Sequence, residues 1–159
     1  MKKRLIVIMF LLMNIGILAG CNKGILKYEP ELELSRIFEV DYVDDQGKDR
    51  KFTFRGIENK IGITDAPLIK GISQKVIWHF WDDSEKLIGK TFKVEGTSTE
   101  TVEHLVLFES GRLTFAPNLG ATTSMPSGIK LNSIGIWKLD IYLDNEYFET
   151  LVVEGKESY

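Results

Sequence analysis

The chain is short of the residues that staple or redox-tune a fold. It has one cysteine, Cys21, in 159 residues. A lone cysteine excludes an internal disulfide and the paired-cysteine motifs of zinc sites and thiol redox centres. Histidine is nearly as scarce, with only His79 and His104. Their spacing matches no metal-ligand pattern, so no cofactor is expected. Positive charge is also in deficit: 20 Lys and Arg stand against 23 Asp and Glu, a net charge of −3. Three of the positive charges, Lys2, Lys3 and Arg4, lie at the extreme N-terminus. Such acidity argues against nucleic acid, which recruits basic surfaces. It argues equally against flat adhesion to anionic lipid. No phosphate-binding loop, dinucleotide fingerprint or Gly-x-Ser-x-Gly turn occurs. Beyond residue 20 no long stretch carries a 3.6-residue period, which excludes a helical bundle.

What is present begins with a basic start and an uncharged run, "LIVIMFLLMNIGILAG", over residues 5–20. A membrane span needs about 20 apolar residues, and this run is shorter and broken by Asn14. A basic start, a short apolar stretch and small residues at its end read as a secretory signal peptide, residues 1–20. Leu18-Ala19-Gly20-Cys21 resembles the lipobox of bacterial lipoproteins. That resemblance implies cleavage before Cys21 and a diacylglycerol on its thiol. It places the mature chain at the outer face of the cell membrane. Two acyl chains give stable anchoring where one gives only marginal binding. Residues 21–31 read as the lipidated cysteine and a tether, with Gly24 and Pro30 as breakers. Ten extended residues reach about 35 Å.

Residues 32–159 form one domain by length. Their pattern is that of strands. "RIFEVDYV" sets Phe38, Val40 and Tyr42 on one face, and "RKFTFR" sets Phe52 and Phe54. With "DDQGKD" between them they make a hairpin. Residues 56–74 read as a loop-rich crossing with one short strand. "KVIWHFW" is apolar on both faces and reads as a central, covered strand. "TFKVEG", "VEHLVLFE", "RLTFA" and "GIKL" supply further strands. "GIWKLDIYL" turns Trp137, Leu139, Ile141 and Leu143 to one face. Asp144-Asn145 joins it to "EYFETLVVE" through a tight turn of positive φ. The fold class is all-β, an antiparallel sandwich.

Ser133-Ile134-Gly135-Ile136-Trp137-Lys138-Leu139 resembles the Asp-x-Gly-x-Tyr-x-Cys run entering strand F of immunoglobulin domains. Trp137 takes the tyrosine place and Leu139 the cysteine place. The resemblance implies an immunoglobulin-like sandwich whose tyrosine corner is made by an indole N–H. More widely, "GIENKIGITDAPLIKGISQKVIWHFW" and "MPSGIKLNSIGIWKLDIYLDNEYFETLVV" are similar to small lipoproteins of spore-forming Gram-positive bacteria. That family is a domain of unknown function with an immunoglobulin-like fold. It carries no known catalytic residue and no known ligand.

Four residues are candidates for binding: Trp81, Asp82, Asp83 and Met125. Trp78 and Trp81 are three apart in a strand and point to opposite faces, so they cannot form one platform. Trp81 beside the acidic turn 82–90 is the surface candidate. Residues 118–128 read as a polar loop presenting Met125, and loops on rigid sandwiches often carry binding. Asp41, Asp44 and Asp45 do not match an EF-hand and read as turn residues. The expected role is an anchored, non-enzymatic binding module for an envelope protein, wall polymer or peptide. The alternatives are an accessory envelope lipoprotein without a ligand and a small hydrolase using His79 or His104 with an acid.

Overall fold

The computed structural model describes residues 32–158, and Cys21, the leader and the tether lie outside the described residues. The described chain is an all-β sandwich of two five-stranded sheets with one short helix. The first sheet contains β1 (Arg36–Val43), β2 (Asp49–Ile57), β3 (Ile61–Thr64), β5 (Gln74–Phe80) and β8 (Thr123–Ile129), paired in the order β1-β2-β3-β5-β8. The second contains β4 (Leu68–Ile69), β6 (Thr91–Ser98), β7 (His104–Arg112), β9 (Gly135–Leu143) and β10 (Glu146–Lys156), in the order β4-β10-β9-β6-β7. All pairs are antiparallel except β4 with β10. Helix α1 (Ser84–Leu87) follows β5. Among the described residues no helix is long and apolar enough to cross a membrane.

The core lies between the sheets. Val76, Trp78 and Phe80 of β5 face Phe92 and Val94 of β6 and Trp137, Leu139 and Ile141 of β9, all buried. These are the alternate residues of each strand, which the pleat turns to one face. Trp137 donates its indole N–H to the Ser133 carbonyl at 3.1 Å. Asp144 and Asn145 take φ of 52° and 63°, as the β9–β10 turn requires.

Four segments differ from the sequence expectation. Residues 56–74 hold two short strands, β3 and β4, beyond the end of β2. "RLTFA" is not a strand: β7 ends at Arg112, and Leu113 instead exchanges backbone bonds with Gly89 and Lys90. Of "GIKL" only Gly128 and Ile129 are strand, the tail of β8, which starts at Thr123 and converts half of the expected 118–128 loop into strand. Val102 and Glu103, read as the start of β7, belong to the preceding turn.

The outer face of the first sheet is unusual. Phe38, Val40 and Tyr42 alternate with exposed neighbours as expected, but they face away from the sandwich core. Phe54, opposite Phe38, is fully buried there. Gly62 makes room for this layer, because a Cβ at that position would lie 3.0 Å from the Phe38 ring.

Candidate binding site

The end of β5 separates its aromatic residues as the strand period dictates. Trp78 points into the core, packs edge-on against Phe92 at 5.5 Å and donates to Ser127 Oγ at 2.8 Å. Trp81 lies on the opposite side. Its ring stands edge-on to Phe54 at 5.2 Å and to Phe38 at 5.7 Å, and stacks on His79 at 5.8 Å. Phe52 completes the group, 4.9 Å from Phe54. Five rings thus form a second apolar layer on the outside of the first sheet, with Trp81 half-buried at its rim.

His79 is buried in this layer. Its Nδ1 lies 3.0 Å from Ser124 Oγ. Burial holds its pKa below the ordinary value, opposed by a hydrogen bond to the backbone of Asn118. The imidazole serves as a packed, hydrogen-bonded ring. His104 is exposed on the second sheet, with Nε2 3.6 Å from Glu95 Oε2 and Nδ1 3.0 Å from Thr97 Oγ1. That pair sits on an open sheet face. Among the described residues no group of three or more His, Cys, Asp or Glu is placed to hold a metal ion. Asp44 is occupied as a turn organiser, accepting from the backbone N–H of Gln46 and Lys48 and from Arg50 Nε.

The structure brings the two expected binding segments together in part. Thr122 donates its hydroxyl to the Asp82 carbonyl at 2.8 Å and its backbone N–H to the Phe80 carbonyl, so 118–122 lies beside the acidic turn. Met125 does not join them. It pairs with Trp78 across β8 and β5 and packs against the core, because strand parity turns it inward. Asp82 and Asp83 are both engaged by Lys86, at 2.9 and 3.2 Å. That ammonium, with the Asp83 N–H, holds the Asp82 carboxyl below its usual range.

Beside Asp82 an open cleft of about 520 Å³ separates α1 from the β9–β10 hairpin. Leu143, Tyr147 and Phe148 line its apolar wall; Lys60, Lys86 and Lys90 line the charged side with Asp82, Glu85 and Glu146. Sequence reading missed this wall, because Tyr147 and Phe148 sit at a register shift in β10 that no periodicity reveals. Tyr147 is 60% exposed. Lys60 bridges the cleft floor: its Nζ is 2.7 Å from Glu149 Oε2 and 5.1 Å from the centre of the Phe148 ring. Burial alone would raise the Glu149 pKa, but the Lys60 ammonium and the Thr150 N–H outweigh it and the net shift is downward.

At the mouth of the cleft Asp144 accepts from the Thr91 N–H at 2.8 Å and pairs with Lys90 at 2.9 Å. These contacts draw its carboxyl from the ordinary 3.8 down to about 2. A depressed carboxylate contributes stability above its unfolded pKa and loses it as pH falls through the folded value. Acid melts should therefore show the native chain losing Tm more steeply than Asp144→Asn between 3.8 and about 2. Parallel curves would show that Asp144 is not linked to folding.

A sandwich scaffold with a cleft at one end defines a class, the all-β domain whose sites are built at strand ends and connecting loops. The particular family follows from comparison with known proteins. Residues 33–153 match the family described as "Domain of unknown function (DUF4871)", and the chain belongs to it. No curated protein matches. The fold is similar to a crystal structure of a "putative lipoprotein" from Bacillus anthracis, with 19% identity and a TM-score of 0.55 over 79% of this chain and 87% of that one.

Proposed function

We propose that this chain is a lipid-anchored extracytoplasmic binding module, held at the membrane through Cys21. Its ligand site is the cleft between α1 and the β9–β10 hairpin. The observation that carries the reading is the convergence there of exposed Tyr147, half-buried Phe148 and buried Leu143 with three lysines and Asp82. Each ammonium is already matched to a carboxylate. The cleft therefore suits a partner with an apolar side chain flanked by charges of both signs. A segment of an envelope protein or a peptide meets that description better than a uniformly charged wall polymer. The lipobox resemblance and the lipoprotein neighbour support the address. The indole corner of Trp137 supports an immunoglobulin-like kinship for the sandwich.

One experiment tests address and site together. Cys21→Ala should move the protein out of the lipid-labelled membrane fraction. Tyr147→Ala should leave it there but reduce recovery of the cross-linked partner about tenfold, as loss of an aromatic anchor does. Processed, lipid-labelled Cys21→Ala protein would sink the address. Equal recovery by the Tyr147→Ala chain would sink the cleft and favour an accessory lipoprotein.

A further inference from the structure

We propose that β1 is a docking edge for an extended peptide whose side chains alternate basic and apolar, taken up as a further strand of the first sheet. The site is separate from the cleft at α1. A sheet edge offers a row of unpaired N–H and C=O groups, and native folds blunt such edges. Of the strands that end the two sheets, three are blunted. β8 carries Pro126. β7 is bulged, since Leu107 and Gly111 have no opposite residue in its register with β6. β4 is only two residues long. β1 has eight residues, no proline and an unbroken register with β2, from Arg36 opposite Gly56 to Val43 opposite Asp49. Among the described residues no strand pairs with its other side.

The β1–β2 turn fixes which groups face the open side. The Asp44 N–H donates to the Lys48 carbonyl at 3.0 Å, and the Gly47 N–H to the Asp44 carbonyl at 2.9 Å, so Asp44 and Lys48 are a bonded pair. Bonded and non-bonded pairs alternate along an antiparallel ladder. Phe38, Val40 and Tyr42 therefore bond to β2, and the N–H and C=O groups of Ile37, Glu39, Asp41 and Val43 point to the open edge. The side chains of those four share one exposed face. Phe38, Val40 and Tyr42 lie half-buried on the other, at the margin of the aromatic layer. β3 pairs with β2 only from Phe54 onward. The turn-side half of the hairpin is thus a two-stranded ribbon, which a third strand steadies.

Charge selects the occupant. The face that carries Glu39 and Asp41 on β1 carries Asp49, Lys51 and Arg55 on β2. Arg55 is taken by Asp65 at 2.9 Å. Lys51 ion-pairs with Glu39 at 2.7 Å and lies opposite Asp41. One ammonium thus stands against three carboxylates, and the face is left negative. A second copy of this chain fits it poorly. Antiparallel registers centred on Glu39 or on Val40 set Glu39 opposite Glu39 or Asp41 of the other copy, and like charges directly opposite destabilise. A strand with lysine or arginine at those positions gains opposite-charge pairs instead, and its alternate residues extend the apolar row of Phe38, Val40 and Tyr42. Main-chain bonds supply the affinity and the alternating side chains the specificity. The acidic guard on β1 therefore rejects self-pairing and admits a basic strand.

The test uses the full chain in nonionic detergent micelles with two fluorescein-labelled heptapeptides, Lys-Val-Lys-Leu-Lys-Val-Lys and Glu-Val-Glu-Leu-Glu-Val-Glu. Anisotropy should show the basic peptide binding about tenfold more tightly than the acidic one. Hydrogen exchange at Glu39 and Asp41 should slow when it binds. Methylating the backbone nitrogens of its lysines, which removes the N–H groups that face β1, should abolish binding. Asp41→Asn keeps the edge N–H and should weaken binding severalfold. Asp41→Pro removes that N–H at a non-bonded pair, so the β1–β2 ladder survives and binding should be lost. Where Asp41→Pro does not fold, the methylated peptide reads the same bonds on the native chain. Equal affinity for the two peptides, or full binding of the methylated one, overturns the proposal. Basic-peptide binding lost in Tyr147→Ala and kept in Asp41→Asn would put the peptide in the cleft at α1 and overturn it too. So would a dimer in sedimentation that Asp41→Pro dissolves, because β1 would then pair with a second copy.

Discussion

Trp137→Ala is expected to lower folding stability by about 3–5 kcal/mol. The side chain is fully buried near the start of β9. A 3–5 kcal/mol loss is a large part of the 5–15 kcal/mol typical of a domain. In a domain of this size it corresponds to a fall in Tm of roughly 10–20 °C. The loss has two parts. Most is the void under the strand, next to Gly96 and Leu107, whose packing depends on the indole. The rest is the Ser133 carbonyl, which loses its donor. Trp137→Phe keeps a buried aromatic ring but loses the N–H with part of the volume, so its smaller loss sets an upper bound on the hydrogen-bond part. Paired thermal melts decide the matter. A Tm for Trp137→Ala within a degree of the native value would mean that β9 is turned the other way and that the sandwich has been misread.

That orientation of β9 was readable from the sequence because Trp137, Leu139, Ile141 and Leu143 alternate without a fault and all four are buried. β1, β2 and β6 carry the same alternation, whereas β5 and β10 are legible only as apolar runs, buried on both faces over Trp78–Phe80 and Leu151–Val153. β3 and β4 span only four and two residues, too few to show a period. β8 was hidden for a different reason. Thr123, Ser124, Pro126, Ser127 and Gly128 look like loop, and proline lacks the N–H a central strand needs. β8 tolerates Pro126 because it is the edge of its sheet. The same loop-like composition makes Met125 look exposed in the sequence. Parity along a strand fixes its partner as Trp78, but only once the strand is known. The site was partly legible on the same terms. Opposed directions for Trp78 and Trp81 follow from spacing alone. The pairing of Asp82 and Asp83 with Lys86 requires the turn of α1, and the Tyr147–Phe148 wall requires the bulge in β10.

Phe54→Ala carries the other large effect, and it bears on a point that alternation cannot decide. A period of two says that Phe38, Phe52 and Phe54 share a face; it does not say which side of the sheet that face occupies. The structure turns it outward, where a sandwich normally presents polar side chains. An outward phenylalanine would ordinarily be cheap to remove. Phe54 is instead fully buried, with Phe38, Phe52, His79 and Trp81 all within 5.6 Å of its ring centre. Each aromatic pair adds about 0.5–1.5 kcal/mol beyond the area it buries, so Phe54→Ala should cost about 3–5 kcal/mol, as in a true core. Phe52→Ala, at the half-buried margin, should cost markedly less. The same loss should loosen the segment over His79, because Ser124 and the Asn118 backbone hold an imidazole whose ring rests on Phe54. Hydrogen exchange at residues 118–122 should accelerate in Phe54→Ala and not in Phe52→Ala. If Phe54→Ala melts with the native chain, the five rings are an open surface awaiting a ligand. The binding site would then belong on the outer face of the first sheet, away from the cleft at α1.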